Sequence, residues 1–394
     1  MSAVVANDMP SGWELRKLGD CMRLINGRAY SQHELLDEGT PIIRIQNLNG
    51  GDRWYFSNLD LPEDKYCSRG DLLFAWSASF GPYIWNGDRS IYHYHIWRIV
   101  PFDNIDKQFA FHLLEWITER VKAASHGVAM LHMTKAGMEA WEIPLPPLEE
   151  QRRIAAILDQ AETLRTQRRQ ALAHLDTLTQ SLFLDMFGDP VTNERGWPDS
   201  LALGEVADIA SGVTKGRNLE GKITRELPYL AVANVQDKSL RLDGIKSIDA
   251  TEDEIQRYLL RKNDLLLTEG GDPDKLGRGT LWNDELPECI HQNHIFRVRL
   301  TTELLTPLFL NWLVGSPRGK KYFLRSAKQT TGIASINMSQ LKGFPLLVPP
   351  LALQQTFSTR IQAIEALKAT HRTALAQLDA LFASLQQRAF AGEL

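Results

Sequence analysis

The sequence predicts an α+β fold arranged as a tandem duplication, in which two globular α/β domains are separated by two long antiparallel coiled-coil helices related by pseudo-twofold symmetry. Three observations in its 394 residues predict this. Motifs recur in the same order about 200 residues apart, two stretches of about 40 residues lack Pro and Gly and space their apolar residues by fours and threes, and short β-like runs fill the rest. A period of that length exceeds any solenoid repeat and implies two homologous domains.

The duplication is read from paired motifs. Gly12-Trp13 and Leu18-Gly19-Asp20 return as Gly196-Trp197 and Leu203-Gly204-Glu205. Pro41 to Leu48 returns as Pro228 to Val235, Arg69 to Leu73 as Lys262 to Leu266, and His95 to Ile99 as His294 to Val298. The offset drifts upward from one pair to the next, as small loop insertions in the second copy would produce. After Pro146-Pro147-Leu148 and Gln151, matched by Pro349-Pro350-Leu351 and Gln354, the offset holds at 203.

These last stretches read as helices. One seam runs Ile154, Leu158, Ala161, Arg165, Arg168, Leu172, Leu175, Thr179, Leu182; the other runs Phe357, Ile361, Ile364, Lys368, His371, Leu375, Leu378, Phe382, Leu385. A sustained seam at 3.5-residue spacing is the signature of a coiled coil. Both seams are interrupted by basic or titratable residues at the same places, which either fix register and orientation at some cost in stability or mark a solvated stretch of helix. Prolines suit a helix start, Glu149 and Glu150 complement the dipole there, and Phe187-Gly188-Asp189-Pro190 supplies a glycine and proline stop. Connectivity favours antiparallel packing, because the first helix ends where the second globular domain begins.

The resulting organisation is a first globular domain at 1–145, a central helix at 146–187, a second globular domain at 188–348 and a C-terminal helix at 349–394. Expected strands lie at 41–48, 71–76, 95–100, 229–235, 264–268 and 294–300, with one helix per domain near 107–124 and 306–321. The glycine-bearing loop 269–279 is the kind of irregular segment that carries function on a scaffold.

Composition narrows the class. Hydrophobic residues make up 43% and charged residues 23%, ordinary for a globular chain and incompatible with disorder. No apolar run is long enough to span a bilayer and the start lacks the basic region of a secretory signal, so a cytoplasmic location is expected. Cys21, Cys67 and Cys289 are too few and too scattered for a disulfide framework or a four-cysteine zinc site. The net charge of −4 shows no overall basic excess.

Most catalytic constellations are missing. The Pro-Pro pairs lack the polar and aromatic neighbours of an amino-methyltransferase loop, and no phosphate-binding Gly-x-x-x-x-Gly-Lys-Ser/Thr is present. Asp199, Glu220 and Lys222 fit the loose Pro-Asp…Glu-x-Lys nuclease pattern, in which carboxylates hold a metal that activates water, but the pattern is short and absent from the first copy. Tyr92-His93-Tyr94-His95, read as a strand, would point both imidazoles to one face without a third ligand. The ten tryptophans read as core.

Basic residues do cluster locally, although the second globular domain is neutral on average with 21 basic and 21 acidic residues. Lys215, Arg217 and Lys222 form one group, Arg257, Arg261 and Lys262 another, and Arg318, Lys320, Lys321, Arg325 and Lys328 a third that leads into Gln329-Thr330-Thr331-Gly332. The third is the best candidate for phosphate contact; the alternative for each group is a solvated face. Asn, Gln, Arg and Lys at base edges guide the choice of base readers. The candidates for nucleic-acid contact are Ser125, His126 and His132 in the first domain and Lys215, Arg217, Arg278, Lys320, Lys321, Arg325, Lys328, Thr330, Thr331 and Asn337 in the second.

The duplicated Gly-Trp and Leu-Gly-Asp/Glu motifs, followed by Ile143-Pro144-Leu145-Pro146-Pro147-Leu148-Glu149-Glu150-Gln151-Arg152-Arg153-Ile154 and its second copy, resemble the specificity subunit of type I restriction-modification systems along essentially the whole chain. The second copy departs from the pattern with Ala352-Leu353-Gln354 in place of Glu-Glu-Gln. The resemblance implies a non-catalytic DNA-reading subunit with two target recognition domains, each reading half of a bipartite asymmetric site, and a helix pair that sets the spacer. It also implies two methylation subunits and two restriction/translocase subunits as partners. No cofactor is expected on this chain, with AdoMet, ATP and Mg2+ on the partners. Pro146, Pro147, Leu148, Gln151, Leu158, Leu172, Leu175, Leu182, Pro349, Pro350, Leu351, Gln354, Ile361, Leu375, Leu378 and Leu385 are the residues expected to form the spacer and dock partners. Two rival readings are a coiled-coil adaptor that binds protein only and a metal-dependent nuclease.

Overall fold

A computed structural model describes residues 9–124, 134–271, 276–330 and 333–394, with backbone only at 123–124, 328–330 and 333. The chain divides into two compact units, residues 1–170 with 371–394, and residues 171–370. The division falls inside both long helices, so each unit joins one globular part to a segment of each helix.

In the first unit the strands are β1 (Glu14–Lys17), β2 (Met22–Asn26), β3 (Thr40–Ile43), β4 (Tyr55–Ser57), β5 (Tyr66–Cys67), β6 (Leu72–Ala75), β7 (Gly81–Ile84), β8 (Ser90–Tyr92) and β9 (Ile96–Pro101). Helices α1 (Lys107–Ala124) and α2 (Lys135–Glu139), strand β10 (Glu142–Leu145) and the 40-residue α3 (Leu148–Phe187) follow. Two four-stranded sheets form, in the orders β2-β9-β6-β7 and β4-β3-β8-β5, and β1 pairs with β10. All four residues of β6 are buried, as expected of a central strand with both faces covered.

The second unit repeats the plan with β11 (Ala207–Ser211), β12 (Arg225–Leu230), β13 (Val235–Gln236), β14 (Ser239–Leu240), β15 (Lys246–Ala250), α4 (Glu252–Tyr258), β16 (Leu265–Thr268), β17 (Gly270–Gly271), β18 (Gly279–Leu281), β19 (Ile290–His291) and β20 (Ile295–Leu300). Then come α5 (Pro307–Gly315), α6 (Pro317–Ser326), β21 (Lys328–Thr330), β22 (Ile333–Ser335), α7 (Met338–Lys342) and α8 (Leu351–Ala391). The order β11-β20-β16-β18 reproduces that of the first unit's main sheet, and β15-β12-β19 reproduces three strands of its second sheet. In both units one strand pair of the second sheet is parallel, β3 with β8 and β12 with β19.

The repeated motifs now have physical causes. An added Cβ at Gly19 would lie 3.1 Å from the Glu139 Cβ, and one at Gly204 would lie 2.8 Å from the Lys342 Cβ. The glycine of each Leu-Gly-Asp/Glu motif therefore lets the chain pass against α2 or α7. Asn47 and Asn234 each accept a hydrogen bond from a backbone N–H three residues earlier, Arg44 at 3.0 Å and Ala231 at 2.8 Å. Each also donates from its amide to a carbonyl, that of Arg53 or Arg241.

These asparagines correct two sequence expectations. The runs 41–48 and 229–235 are not continuous strands. β3 and β12 stop at Ile43 and Leu230, and a short helical turn follows at Ile45–Leu48 and at Val232–Asn234 because the buried amide caps it. The helix expected at 306–321 is two helices, since Ser316 breaks the run and Pro317 opens α6 at a position where it needs no N–H. Residues 93–95 form a turn between β8 and β9 rather than a strand, the reversal needed where the chain leaves one sheet for the other.

Candidate nucleic-acid interface and helix junctions

In the second unit, α6 delivers the basic cluster. Phe323 is fully buried on one face, and Lys320, Lys321 and Arg325 are exposed on the other. Arg318 turns inward, donating to the carbonyls of Pro345 and Pro190 at 3.2 Å each. Helix α6 leads into the hairpin β21–β22, paired Lys328 with Ser335, Gln329 with Ala334 and Thr330 with Ile333. β17 adds to this hairpin through Gly270 and Gly271. A Cβ at Gly270 would sit 2.9 Å from the Ala334 carbonyl oxygen, so glycine is what allows the loop to lie against the hairpin.

The fold therefore brings Lys320, Lys321, Arg325, the backbone of Lys328 and Thr330, and the 269–271 segment into one region of the chain. Other candidates have internal duties. Arg217 binds both Glu254 oxygens, at 2.5 and 2.9 Å, and the Asp249 carbonyl. The guanidinium holds the Glu254 carboxyl down to about 2. Asn337 caps α7, accepting from the Gln340 N–H at 2.9 Å. Arg278 donates to Gln236 at 3.3 Å and keeps a buried Nε without a partner among the described residues. Lys215 is exposed. Ser125, His126, His132 and Thr331 lie outside the described residues.

The nuclease constellation is not assembled as a metal site. Asp199 lies 3.8 Å from Arg318, Glu220 and Lys222 are exposed, and no group of three His, Cys, Asp or Glu among the described residues could hold a metal. The His93 and His95 rings approach to 4.9 Å, and burial pushes His93 down to about 4. The three cysteines are free and buried, which pushes Cys67 and Cys289 up to about 12.

The helix junctions repeat atom for atom. Gln151 is fully buried; its Oε1 accepts from the Asp106 N–H at 2.7 Å, and its Nε2 donates to the carbonyls of Asn104 at 3.0 Å and Pro146 at 2.8 Å. Gln354, equally buried, accepts from the Thr306 N–H at 2.8 Å and donates to Leu304 at 3.0 Å and Pro349 at 2.8 Å. Each glutamine thus ties the globular part to its helix and presents nothing to an outside partner. Pro147, Leu148, Pro350 and Leu351 are exposed at the same junctions.

The seam packs as a coiled coil within each unit. Ile154, Leu158, Ala161 and Phe382 are buried in the first, Phe357 and Ile361 in the second. Its charged positions form two matching sets. In the first unit Arg165 pairs with Glu162 and reaches Asp379 of the opposite helix at 2.7 Å. In the second, Lys368 pairs with Glu365 and with Asp176 of the opposite helix, each at 2.6 Å. Every member of one set is 203 residues from its counterpart in the other. Arg168 donates to His371 Nδ1 at 3.2 Å, and these two are also 203 apart, so each meets its own counterpart. Register fixing by the seam's polar residues is therefore the reading their contacts support, and the cross-helix carboxylates Asp176 and Asp379 complete it. Both carboxylates could have been found from their constant offset.

A further junction residue was not evident in the sequence. His112 on α1 is buried between Glu115, at 3.1 Å, and Asp159 of α3, at 2.7 Å. Burial disfavours its charged form, but the hydrogen bonds and charges of the two carboxylates outweigh it and raise the pKa.

Comparison with known proteins agrees with this duplicated plan. Residues 10–174 and 196–380 each match the family model of the type I restriction modification DNA specificity domain. Over 430 residues the chain is 23% identical to the type I restriction enzyme StySPI specificity subunit of Salmonella potsdam, covering 98% of this chain and 90% of that protein. It is 22% identical over 415 residues to the EcoBI specificity subunit of Escherichia coli, covering 97% and 86%. The crystal structure of the type I S subunit from M. genitalium shares the fold with a TM-score of 0.58 at 16% identity, covering 99% of both chains.

Proposed function

This chain belongs to the family of type I restriction-modification DNA specificity domains, and from that premise we propose that it selects the DNA sequence on which partner subunits act. The first globular part reads one half of a bipartite asymmetric site and the second reads the other. The observation that carries the proposal is the symmetry of the junctions and seam against the divergence of the loops. The glutamine clamps and ion sets recur at a fixed offset of 203, whereas within the globular parts the offset of matching motifs drifts from 184 at Gly12 and Gly196 to 199 at His95 and His294, the mark of connecting loops that differ in length. A scaffold held constant under two different readers is what a two-part asymmetric target requires.

The helices act as the spacer. At about 1.5 Å per residue a 40-residue helix spans about 60 Å, sufficient to keep two readers one turn of B-DNA apart, roughly 34 Å. Lys320, Lys321, Arg325 and Lys328 contact phosphates, which position the reader without choosing a sequence. Two methylation subunits dock symmetrically, with exposed Pro147, Leu148, Pro350 and Leu351 among their contacts, and two restriction/translocase subunits join for cleavage. AdoMet, ATP and Mg2+ belong to those partners, and the assembly works in the cytoplasm. With the net charge at −4, the partners supply much of the electrostatic grip.

The test is co-expression with the cognate methylation subunit and mapping of methylated adenines across a genome. A two-part motif, altered in one half only when residues 1–145 are exchanged for those of a relative, is the expected result. A single continuous motif refutes the proposal.

A further inference from the structure

One place in the two units keeps its backbone and changes its chemistry. The residue that follows β6 and the residue that follows β16 occupy equivalent positions, because the flanking registers agree: Ala75 pairs with Ile96, and Thr268 with Ile295. Trp76 donates its N–H to the His95 carbonyl at 3.1 Å, and Glu269 donates its N–H to the His294 carbonyl at 3.0 Å. The same backbone hydrogen bond thus joins the same two positions in each unit.

The side chains diverge. In the first unit the Trp76 and His95 rings meet edge-on with centroids 5.1 Å apart, and Tyr94 lies 6.1 Å from Trp76. In the second, Glu269 accepts a hydrogen bond from His294 Nδ1 at 2.6 Å. The neighbouring buried positions keep their apolar character, Leu73 with Leu266 and Ile96 with Ile295. Trp76 is partly buried, stacking on Trp97 with centroids 5.9 Å apart and donating its indole N–H to the Tyr94 carbonyl at 2.9 Å, so it serves the core as well as the surface, whereas Glu269 is engaged by the exposed His294.

The Glu269–His294 pair is also reachable. The side chains are 33% and 56% exposed. They stand where the glycine segment Gly270–Gly271 meets β22, and the Glu269 carbonyl accepts from the Ile336 N–H at 2.9 Å, tying the pair to the far end of the hairpin. No side chain from Gly270 or Gly271 stands in front of it.

We propose that this position is where each reader takes one base pair, Glu269 with His294 addressing an amine-bearing base edge in the second half-site and Trp76 with His95 packing against a thymine methyl in the first. The inference rests on the DNA-reading function proposed above. A carboxylate accepts from cytosine N4 or adenine N6 in the major groove, and an apolar ring suits the thymine C5-methyl. The imidazole holds the carboxylate in one orientation, so His294 is a positioning residue for Glu269.

The experiment uses the full chain assembled with its methylation subunit and a panel of duplexes in which each base pair of the bipartite site is changed singly. Reader exchange first assigns the half-sites. For Glu269→Leu, which removes the acceptor, discrimination is expected to fall by about tenfold at one base pair of the second half-site and to hold elsewhere. His294→Gln should weaken discrimination at that same base pair, and it serves alone if Glu269→Leu fails to assemble. Discrimination equal to wild type at every position, or a loss spread evenly over both half-sites, overturns the inference while leaving the bipartite reading intact. A wild-type complex that recognises one continuous site overturns that reading and the inference with it.

Discussion

Replacing Gln151 with Ala removes the clamp between the first globular part and its helix. Three hydrogen bonds are lost, to the Asp106 N–H and to the carbonyls of Asn104 and Pro146. The Pro146 carbonyl is enclosed, and leaving it unsatisfied costs about 1–3 kcal/mol. The other two groups lie at a partly exposed margin where water can replace the amide, so each costs nearer 0.5–1.5 kcal/mol. The loss is about 2–6 kcal/mol, centred near 4, which for a unit of roughly 200 residues corresponds to a fall of about 10 °C in its unfolding temperature. Gln354→Ala should produce the same loss in the other unit. Thermal unfolding, with amide hydrogen exchange to locate the opened segment, reads both. Gln151→Glu adds a test of mechanism. A carboxyl facing two carbonyl oxygens must be protonated to donate, so its folded pKa lies above the unfolded value, and its stabilising bonds are present at low pH and lost as pH rises. That variant should be closer to wild type at pH 5 than at pH 8. A change of under about 2 °C for Gln151→Ala, or a pH-independent Gln151→Glu, refutes the clamp.

His112 carries a pH dependence of its own. Its pKa is raised from the ordinary 6.5 in the folded state, so the stabilisation is complete below about pH 6.5 and is lost as pH rises through the folded value; the wild-type urea midpoint should decline across that window and His112→Gln should flatten the profile. For the seam, Lys368→Met should change stability by under about 1 kcal/mol, because Asp176 and Glu365 remain partly in water. Lys368→Glu, which gathers three carboxylates, should cost more and be rescued by Asp176→Lys in a double-mutant cycle; equal damage from Met and Glu would mean that packing, not pairing, is the role. Arg325→Ala, Lys321→Ala and Lys328→Ala should each weaken binding to all DNA sequences alike and lower the salt slope by about 0.9, measured from dissociation constants at several salt concentrations. An unchanged slope removes that residue from the phosphate contacts.

The duplication, the two helices and the seam were legible in the sequence because each rests on spacing, and spacing survives divergence. The strand ends were less so. A β-like run such as Pro41 to Leu48 looks continuous, yet Asn47 competes for the backbone and turns its end into a helical turn. The single helix read at 306–321 passed over the break that Pro317 imposes on Ser316, a break that also brings Gly319 against Val314, where a Cβ would fall on the Val314 carbonyl. The candidate site divided along similar lines. Charge clustering found Lys320, Lys321 and Arg325, but sequence does not reveal that Arg217 is occupied by Glu254 or that Asn337 caps a helix. Those facts depend on partners 37 and 3 residues away, and only the near one leaves a local pattern. Glu269 and His294 escaped for the same reason, since nothing local joins residues 25 apart.

The meeting of Arg168 with His371, residues that are each other's counterpart, has a geometric reading. When two identical chains associate about a twofold axis, a residue near that axis touches its own copy, and every other contact occurs twice with the roles exchanged. The helix seam shows the self-contact and, in the Arg165 and Lys368 ion sets, one exchanged pair of contacts inside one polypeptide. Duplication within one polypeptide preserves such paired contacts while letting single positions differ, as Arg165 does from Lys368 and Trp76 from Glu269. Within one chain the two halves of such an interface need not be identical, whereas in a symmetric dimer of identical chains they must be.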